Sequence, residues 1–378
     1  RGQNVEGVLH AEVVYEKATE PYFASTETRS YISGTIAATN LIASDGSSTS
    51  FTNFGAGGKE GRANLLDQDL NTKMCALETW INRDNATFSM VFNSETNSSQ
   101  RLRYRLGEYS LGSANDNAAR DPSSWTLYGS NDGKQWTAIE TVTDFSFPDT
   151  RKALYNFPVE VSVPYSQYRL DVHKTKADIG QFQLSELSFW AAETYGEIGA
   201  GATLSTYLNG NPHTSFGRNN ETPDKLQDNN TATKMCAINA NINTGNNTFS
   251  LVWELAAPDV LQMYSMTTAN DGVVRDPISW RVLGSDDGVE WTELDYIANA
   301  LDLMPTERFT QVDFLLDNEE AFAFYRFDFL QTRGNDAAFQ LSEMSLWAPR
   351  VPEPSTCVLL FLGMVGMVYY TSKGKKKH

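Results

Sequence analysis

Apolar residues recur at every second position through much of this chain. Phe88, Met90 and Phe92 alternate with Ser89 and Val91, the period-two signature of a strand with one face on a core. Tyr168-Arg169-Leu170-Asp171-Val172 and Tyr325-Arg326-Phe327-Asp328-Phe329 alternate in the same way. Ser130-Asn131-Asp132-Gly133 before Trp136, and Ser285-Asp286-Asp287-Gly288 before Trp291, predict hairpin turns, because Asp-Gly tolerates positive φ. No stretch has a convincing helical period. Gly, Asn, Thr, Ser and Asp are plentiful while long Ala/Leu/Glu/Lys stretches are missing, so short strands and many turns are expected. The predicted fold class is all-β.

The pattern occurs twice. Leu66-Asp67-Gln68-Asp69-Leu70-Asn71-Thr72-Lys73-Met74-Cys75-Ala76 returns 161 positions later as Gln227-Asp228-Asn229-Asn230-Thr231-Ala232-Thr233-Lys234-Met235-Cys236-Ala237. Arg120-Asp121-Pro122-Ser123-Ser124-Trp125 returns 155 positions on at Arg275–Trp280, and Phe182-Gln183-Leu184-Ser185-Glu186 returns 157 positions on at Phe339–Glu343. Matches in one order with small changes of offset mean duplication with loop insertions. A repeat of this size is a whole domain, not a solenoid unit of about 20–50 residues. The expected division is a leader or extra strand at 1–30, domain one at 31–193, domain two at 194–349 and a distinct segment at 350–378. The connector Ala191-Ala192-Glu193-Thr194-Tyr195-Gly196 is short, so the copies are expected to sit close together.

Composition narrows the function. The 378 residues carry a net charge of −17, which repels phosphate backbones and argues against nucleic-acid binding. The acidity serves either solubility or cation-binding carboxylates. Of three cysteines, Cys75 and Cys236 occupy matching places in the two halves and Cys357 lies in a C-terminal apolar run. Neither half can close its own disulfide; buried free thiols are expected unless the two sites meet. The sequence opens at Arg1 without Met or an apolar leader, so for an exported protein the expectation is a signal peptide removed or lying outside it.

The Asp-x-Asp/Asn-x-x-Thr-Lys loop, the Arg-Asp-Pro-x-Ser-Trp to Asp-Gly hairpin and the closing Gln-Leu-Ser-Glu strand resemble the discoidin family. These are the coagulation-factor type C, galactose-binding-like jelly rolls, which include many bacterial carbohydrate-binding modules. The resemblance covers both copies and implies two tandem jelly-roll β-sandwiches. It further implies a structural calcium ion held in copy one by Asp67, Asp69, Thr72 and Glu186, and in copy two by Asp228, Asn230, Thr233 and Glu343. Calcium takes about 6–8 oxygens, which a tight loop supplies from side chains and backbone together. Asn230 in place of Asp69 loses a charge, so the second site is expected to be the weaker; the alternative is a turn held by Asx hydrogen bonds. Met74 and Met235 replace the family's usual aromatic, and the disulfide of its eukaryotic members is absent. Arg120 and Arg275 stand either at a ligand loop or in a scaffold, paired with Asp116 or Asp271. For ligand contact the candidates are Phe51, Asn53 and Phe54 in one loop and His213, Phe216 and Arg218 in the other, a ring beside polar donors. The same rings can equally tuck into their own loops.

Val351-Pro352-Glu353-Pro354-Ser355-Thr356, the apolar run Cys357 to Tyr370, and Lys373, Lys375, Lys376 and Lys377 resemble the PEP-CTERM sorting signal of Gram-negative bacteria. That resemblance implies processing by an exosortase. The lysines would hold the tail on the cytoplasmic side of a short C-terminal transmembrane helix, with the β-domains outside. The run is shorter than the ~20 residues of a full span, so flanking Ser and Thr must help.

Three functions follow. The first is an exported cell-surface or matrix protein with two carbohydrate-binding modules, probing polysaccharide with the avidity of paired weak sites. The second is a structural envelope component that binds neighbouring proteins or self-associates. A polysaccharide-active enzyme comes third. The four histidines, His10, His173, His213 and His378, are neither repeated nor spaced for metal, and no nucleophile, zinc or phosphate-loop motif occurs.

Overall fold

The computed structural model describes residues 30–95, 101–148, 150–218 and 220–350, with the backbone of Glu16–Lys17. The remainder of the 1–30 segment and the Pro352-Glu353-Pro354 segment expected to be a sorting signal, with its apolar run, lie outside the described residues. Copy one contains β1 (Gly34–Ile42), β2 (Met74–Leu77), β3 (Thr87–Ser94), β4 (Leu102–Gly112), β5 (Pro122–Ser130), β6 (Thr137–Val142), β7 (Leu154–Pro158), β8 (Gln167–Thr175), β9 (Gln181–Leu184) and β10 (Glu186–Glu197). Copy two repeats them as β11 (Thr203–Leu208), β12 (Met235–Ala237), β13 (Phe249–Val260), β14 (Met263–Thr267), β15 (Pro277–Ser285), β16 (Thr292–Ile297), β17 (Gln311–Leu315), β18 (Ala321–Thr332), β19 (Phe339–Leu341) and β20 (Glu343–Arg350).

Each copy is a β-sandwich. In copy one the sheet β1-β3-β8-β5-β6 faces the sheet β7-β4-β10; copy two sets β11-β13-β18-β15-β16 against β17-β14-β20. The alternation read from sequence turns Phe88, Met90, Phe92, Tyr168, Leu170 and Val172 into the first core, where each is at most 1% exposed. Phe92 and Tyr168 meet Phe189 of the opposite sheet at ring distances of 4.7 and 5.1 Å. Trp125 donates its Nε1–H to the Tyr109 hydroxyl at 2.8 Å, and Trp280 does the same to Tyr264 at 2.8 Å, so both indoles are satisfied while fully buried.

Two one-turn helices, Ile81–Asp84 and Ile242–Gly245, were not legible as helical periods because four residues are too few to show one. A repeated amide holds each: Asn82 exchanges hydrogen bonds with the Thr175 backbone, and Asn243 with that of Thr332. Among the described residues Cys75 and Cys236 form no disulfide, and each is buried in its own copy. Burial pushes both thiols up.

The expected connector is itself a strand. β10 runs Glu186–Glu197 straight through it, pairing with β4 on one side and, at Thr194–Glu197, with Trp347–Arg350 of β20 on the other. The inner sheets therefore fuse in the order β7-β4-β10-β20-β14-β17. The junction is sealed by Arg103, 3% exposed, whose guanidinium lies 3.8 Å from the Trp347 ring centroid and 2.8 Å from Asp313 Oδ1. Asp313 also accepts from Asn131 Nδ2 at 2.8 Å, and Arg101 binds Glu197 and the Ser345 hydroxyl. Among the described residues no helix is long and apolar enough to cross a membrane.

Candidate functional site

The repeated acidic loop precedes β2 in copy one and β12 in copy two. In the first, Asp67 Oδ1 accepts the Asp69 N–H at 3.0 Å, and the Thr72 hydroxyl donates to Asp67 Oδ2 at 2.6 Å. Asp69 Oδ1 accepts from the Asn71 backbone at 2.9 Å and from its side chain at 2.7 Å, which holds the Asp69 carboxyl below its usual range. In the second, Asp228 accepts from the Asn230 N–H and from Thr233 Oγ1, and Thr233 Oγ1 also reaches the Asn230 carbonyl at 2.8 Å. These are Asx turns in both copies.

Lys73 and Lys234, next along the motif, anchor the loops from inside. Each is at most 7% exposed, and their ammonium groups lie 2.7 and 2.6 Å from Asp116 and Asp271. Gln183 and Gln340 complete the two cradles. Burying an ammonium group is costly unless its charge is paired and hydrogen-bonded, as here.

Copy two brings its four expected residues together. Glu343, 7% exposed, accepts the Asn230 N–H on Oε1 at 2.8 Å and lies against Asp228. Burial, reinforced by the Asp228 carboxyl, pushes Glu343 up to about 8. Two carboxyl groups crowded in this way, with the Asn230 carbonyl and the Thr233 hydroxyl close by, form an all-oxygen set that fits a hard cation. In copy one Asp67, Asp69 and Thr72 share the loop, while Glu186 is fully buried at the start of β10. Among the described residues no group of three or more His, Cys, Asp or Glu side chains converges as metal ligands, so backbone and hydroxyl oxygens would have to complete either site.

The Arg-Asp-Pro segment is scaffold. Asp121 and Asp276 are at most 1% exposed and take bidentate bonds from Arg151 and Arg308, not from the adjacent arginines. Arg120 lies 3.5 Å from Asp116, and Arg275 is 3.1 Å from Asp336. Sequence did not point to Arg151 and Arg308, which come from loops with no shared motif.

The candidate ligand loops are turned partly inward. Phe51 is buried with its ring edge-on to Phe54 and Phe88, at 5.6 and 5.1 Å. His213 takes the same place in copy two, edge-on to Phe216 and Phe249, with Nε2 at 2.9 Å from the Ser215 carbonyl. Phe54 and Phe216 are half-buried. Asn53 is exposed and bonds the Leu77 carbonyl and the Glu78 carboxylate; Arg218 is exposed. The polar members of these loops therefore face solvent, while Phe51 and His213 belong to the core.

The chain matches no family model, and no curated protein matches it. Among solved structures it is similar to the CBM32-1 and CBM32-2 domains of Clostridium perfringens ZmpB, at 10% identity over 89% of this chain and 100% of that chain, with a TM-score of 0.33. A fucolectin from striped bass (Morone saxatilis) serum is similar at 9% identity over 85% of this chain and 99% of that chain, with a TM-score of 0.34. Chitosan-binding module 1 from a Paenibacillus sp. IK-5 chitosanase/glucanase covers 40% of this chain and 97% of its own length at 10% identity and a TM-score of 0.30. Likeness at this level assigns neither ligand nor activity to the chain.

Proposed function

We propose that this is a non-catalytic carbohydrate-binding and adhesion protein, exported by a Gram-negative-type bacterium to its surface or extracellular matrix. In this reading the Pro352-Glu353-Pro354 segment and the apolar run after it deliver the protein to the membrane and to an exosortase. Calcium steadies the loops: Asp67, Asp69, Thr72 and Glu186 would hold one ion, and Asp228, Asn230, Thr233 and Glu343 the other. Calcium there would neutralise crowded carboxylates and fix loop conformation. The observation that carries the reading is the fused sheet. It sets two copies of one domain at a fixed spacing, which suits a repeating polymer because the second contact is then intramolecular.

The test is thermal unfolding with calcium, with chelator, and with a panel of soluble polysaccharides. A ligand present at about 100 times its Kd stabilises the native state by about 2.7 kcal/mol. The expected outcome is a higher midpoint in calcium and a further rise with one glycan. A midpoint indifferent to chelator would remove calcium, and indifference to every glycan would remove the carbohydrate reading.

A second reading, association with neighbouring proteins or with itself, is favoured by one feature. The large apolar side chains that stand exposed among the described residues all lie in copy two, including Val289 at 72%, Leu303 at 54% and Leu315 at 49%. Leu315 is on β17, the outer strand of the fused sheet. Concentration-dependent sedimentation lost in Leu315→Lys would support that reading.

A further inference from the structure

Tandem fusion creates a cavity that neither copy has alone. The outer face of β14 and β20 would be solvent-exposed in an isolated sandwich, and its residues are accordingly polar. Here copy one covers it. Ser265 and Thr267 are 2% exposed, Ser345 is 5% and Glu343 is 7%. The cover comes from the β5–β6 hairpin, residues 131–136, and from Arg101. It is incomplete, leaving a cleft of about 180 Å³ with Lys134, Asn229 and Thr231 at its mouth.

We propose that this inter-copy cleft binds one neutral pyranose ring. The size is right for that and for little more: pockets for drug-sized ligands run about 300–1,000 Å³. The lining also selects chemistry. Asp132 lines the cleft, and among the described residues its shielded Oδ2 has no hydrogen-bond partner, so a hydroxyl entering beside the hairpin would satisfy it. Its other oxygen is fully used, taking the backbone N–H groups of Lys134 and Gln135. Phosphate or carboxylate ligands would set negative charge against the Asp132 carboxylate, whereas a neutral sugar brings several hydroxyl donors and no charge. Lys134 supplies a donor at the mouth, and no carboxylate pairs with it among the described ion pairs; Phe309, 5.9 Å from its ammonium, supplies an apolar face for ring carbons. On the floor Ser265 Oγ accepts from Trp347 Nε1 at 2.9 Å, which leaves its own proton to donate. Charges of both signs line the cleft, so no net field draws an ion. The proposal rests on the carbohydrate chemistry of the proposed function, and its cleft adjoins the copy-two acidic loop, from which Asn229 and Thr231 reach the mouth.

The test is saturation-transfer NMR and titration of the whole protein with galactose, glucose and N-acetylgalactosamine, each with and without chelator. Asp132→Asn keeps the turn, and Lys134→Ala with Phe309→Ala alters two surface side chains; thermal midpoints check that all remain folded. The expected result is saturable binding of at least one sugar, weakened tenfold or more in both cleft variants and unchanged in Lys174→Ala, an exposed side chain outside the cleft. Binding that survives both cleft variants overturns the proposal, as does the absence of binding by any monosaccharide. Should calcium alone bind in a way that Asp132→Asn abolishes, the cleft is a cation site and the sugar assignment falls. Polysaccharide binding lost only in the loop variants Asn53→Ala and Arg218→Ala would overturn the cleft while leaving the proposed function standing; absence of every glycan response in the wild type would remove both.

Discussion

Truncating Arg103 would leave Asp313 buried at the junction with only amide donors from Asn131 and Gln311, and would uncover one face of Trp347. Removing one partner of a buried ion pair typically costs about 3–5 kcal/mol, because the remaining charge is stranded. Arg103→Ala is therefore expected to lose about that much in guanidinium unfolding. Arg105→Ala, whose pair with Glu193 is a third or more exposed, should lose less than about 1 kcal/mol. Equal losses from the two would refute the junction's role. At this scale the sequence was readable where chemistry was one-sided. Trp125, Trp280 and the two cysteines are apolar in apolar strands and went inside. Phe51 and His213 stand among Ser, Thr and Asn, where pattern does not say which way a ring turns; the aromatics at Phe88 and Phe249 drew them inward. Arg103 carries no signal at all, since an arginine on a strand reads as solvent-facing until the second copy is placed over it.

Strands and hairpins followed the alternation closely, because each β-strand that packs one face must show period two. The Asp-Gly turns form as expected, with Gly133 and Gly288 at φ 68° and 72°. What pattern could not supply was where strands make room for rings arriving from elsewhere. Gly129 on β5 and Gly284 on β15 are such places. A Cβ at Gly129 would sit 2.2 Å from the Tyr165 ring, and one at Gly284 would sit 2.4 Å from the Phe322 ring. Both rings are buried and cannot swing away freely. Gly129→Ala and Gly284→Ala are each expected to lower stability by about 1–3 kcal/mol through overpacking. In both, added β-propensity would otherwise push the other way. Denaturant midpoints at or above wild type would show that the rings yield.

Duplication was plain in the sequence, yet the relation between the copies was not. Residues 191–196 read as a linker because a strand without visible partners has nothing in one dimension to mark it. Its partners, Leu102–Leu106 and Ala348–Arg350, are remote in sequence. The fused sheet changes how the molecule should unfold. Two sandwiches on a flexible tether would melt independently, whereas sandwiches sharing a central β10–β20 pair, a buried guanidinium and a common polar cleft are coupled. One calorimetric transition is expected, with calorimetric and van't Hoff enthalpies in agreement. Gly196 is the place to break it, since it pairs with Ala348 on one side and Leu102 on the other. Proline there removes a backbone donor and cannot sit within a central strand without disrupting the ladder. Gly196→Pro should therefore separate the melt into two transitions, each retaining its own core. It should also abolish sugar binding in the inter-copy cleft while sparing any response carried by the loops. If wild type already melts in two steps, the copies are mechanically independent, and the fixed spacing on which polymer recognition rests is lost with the coupling.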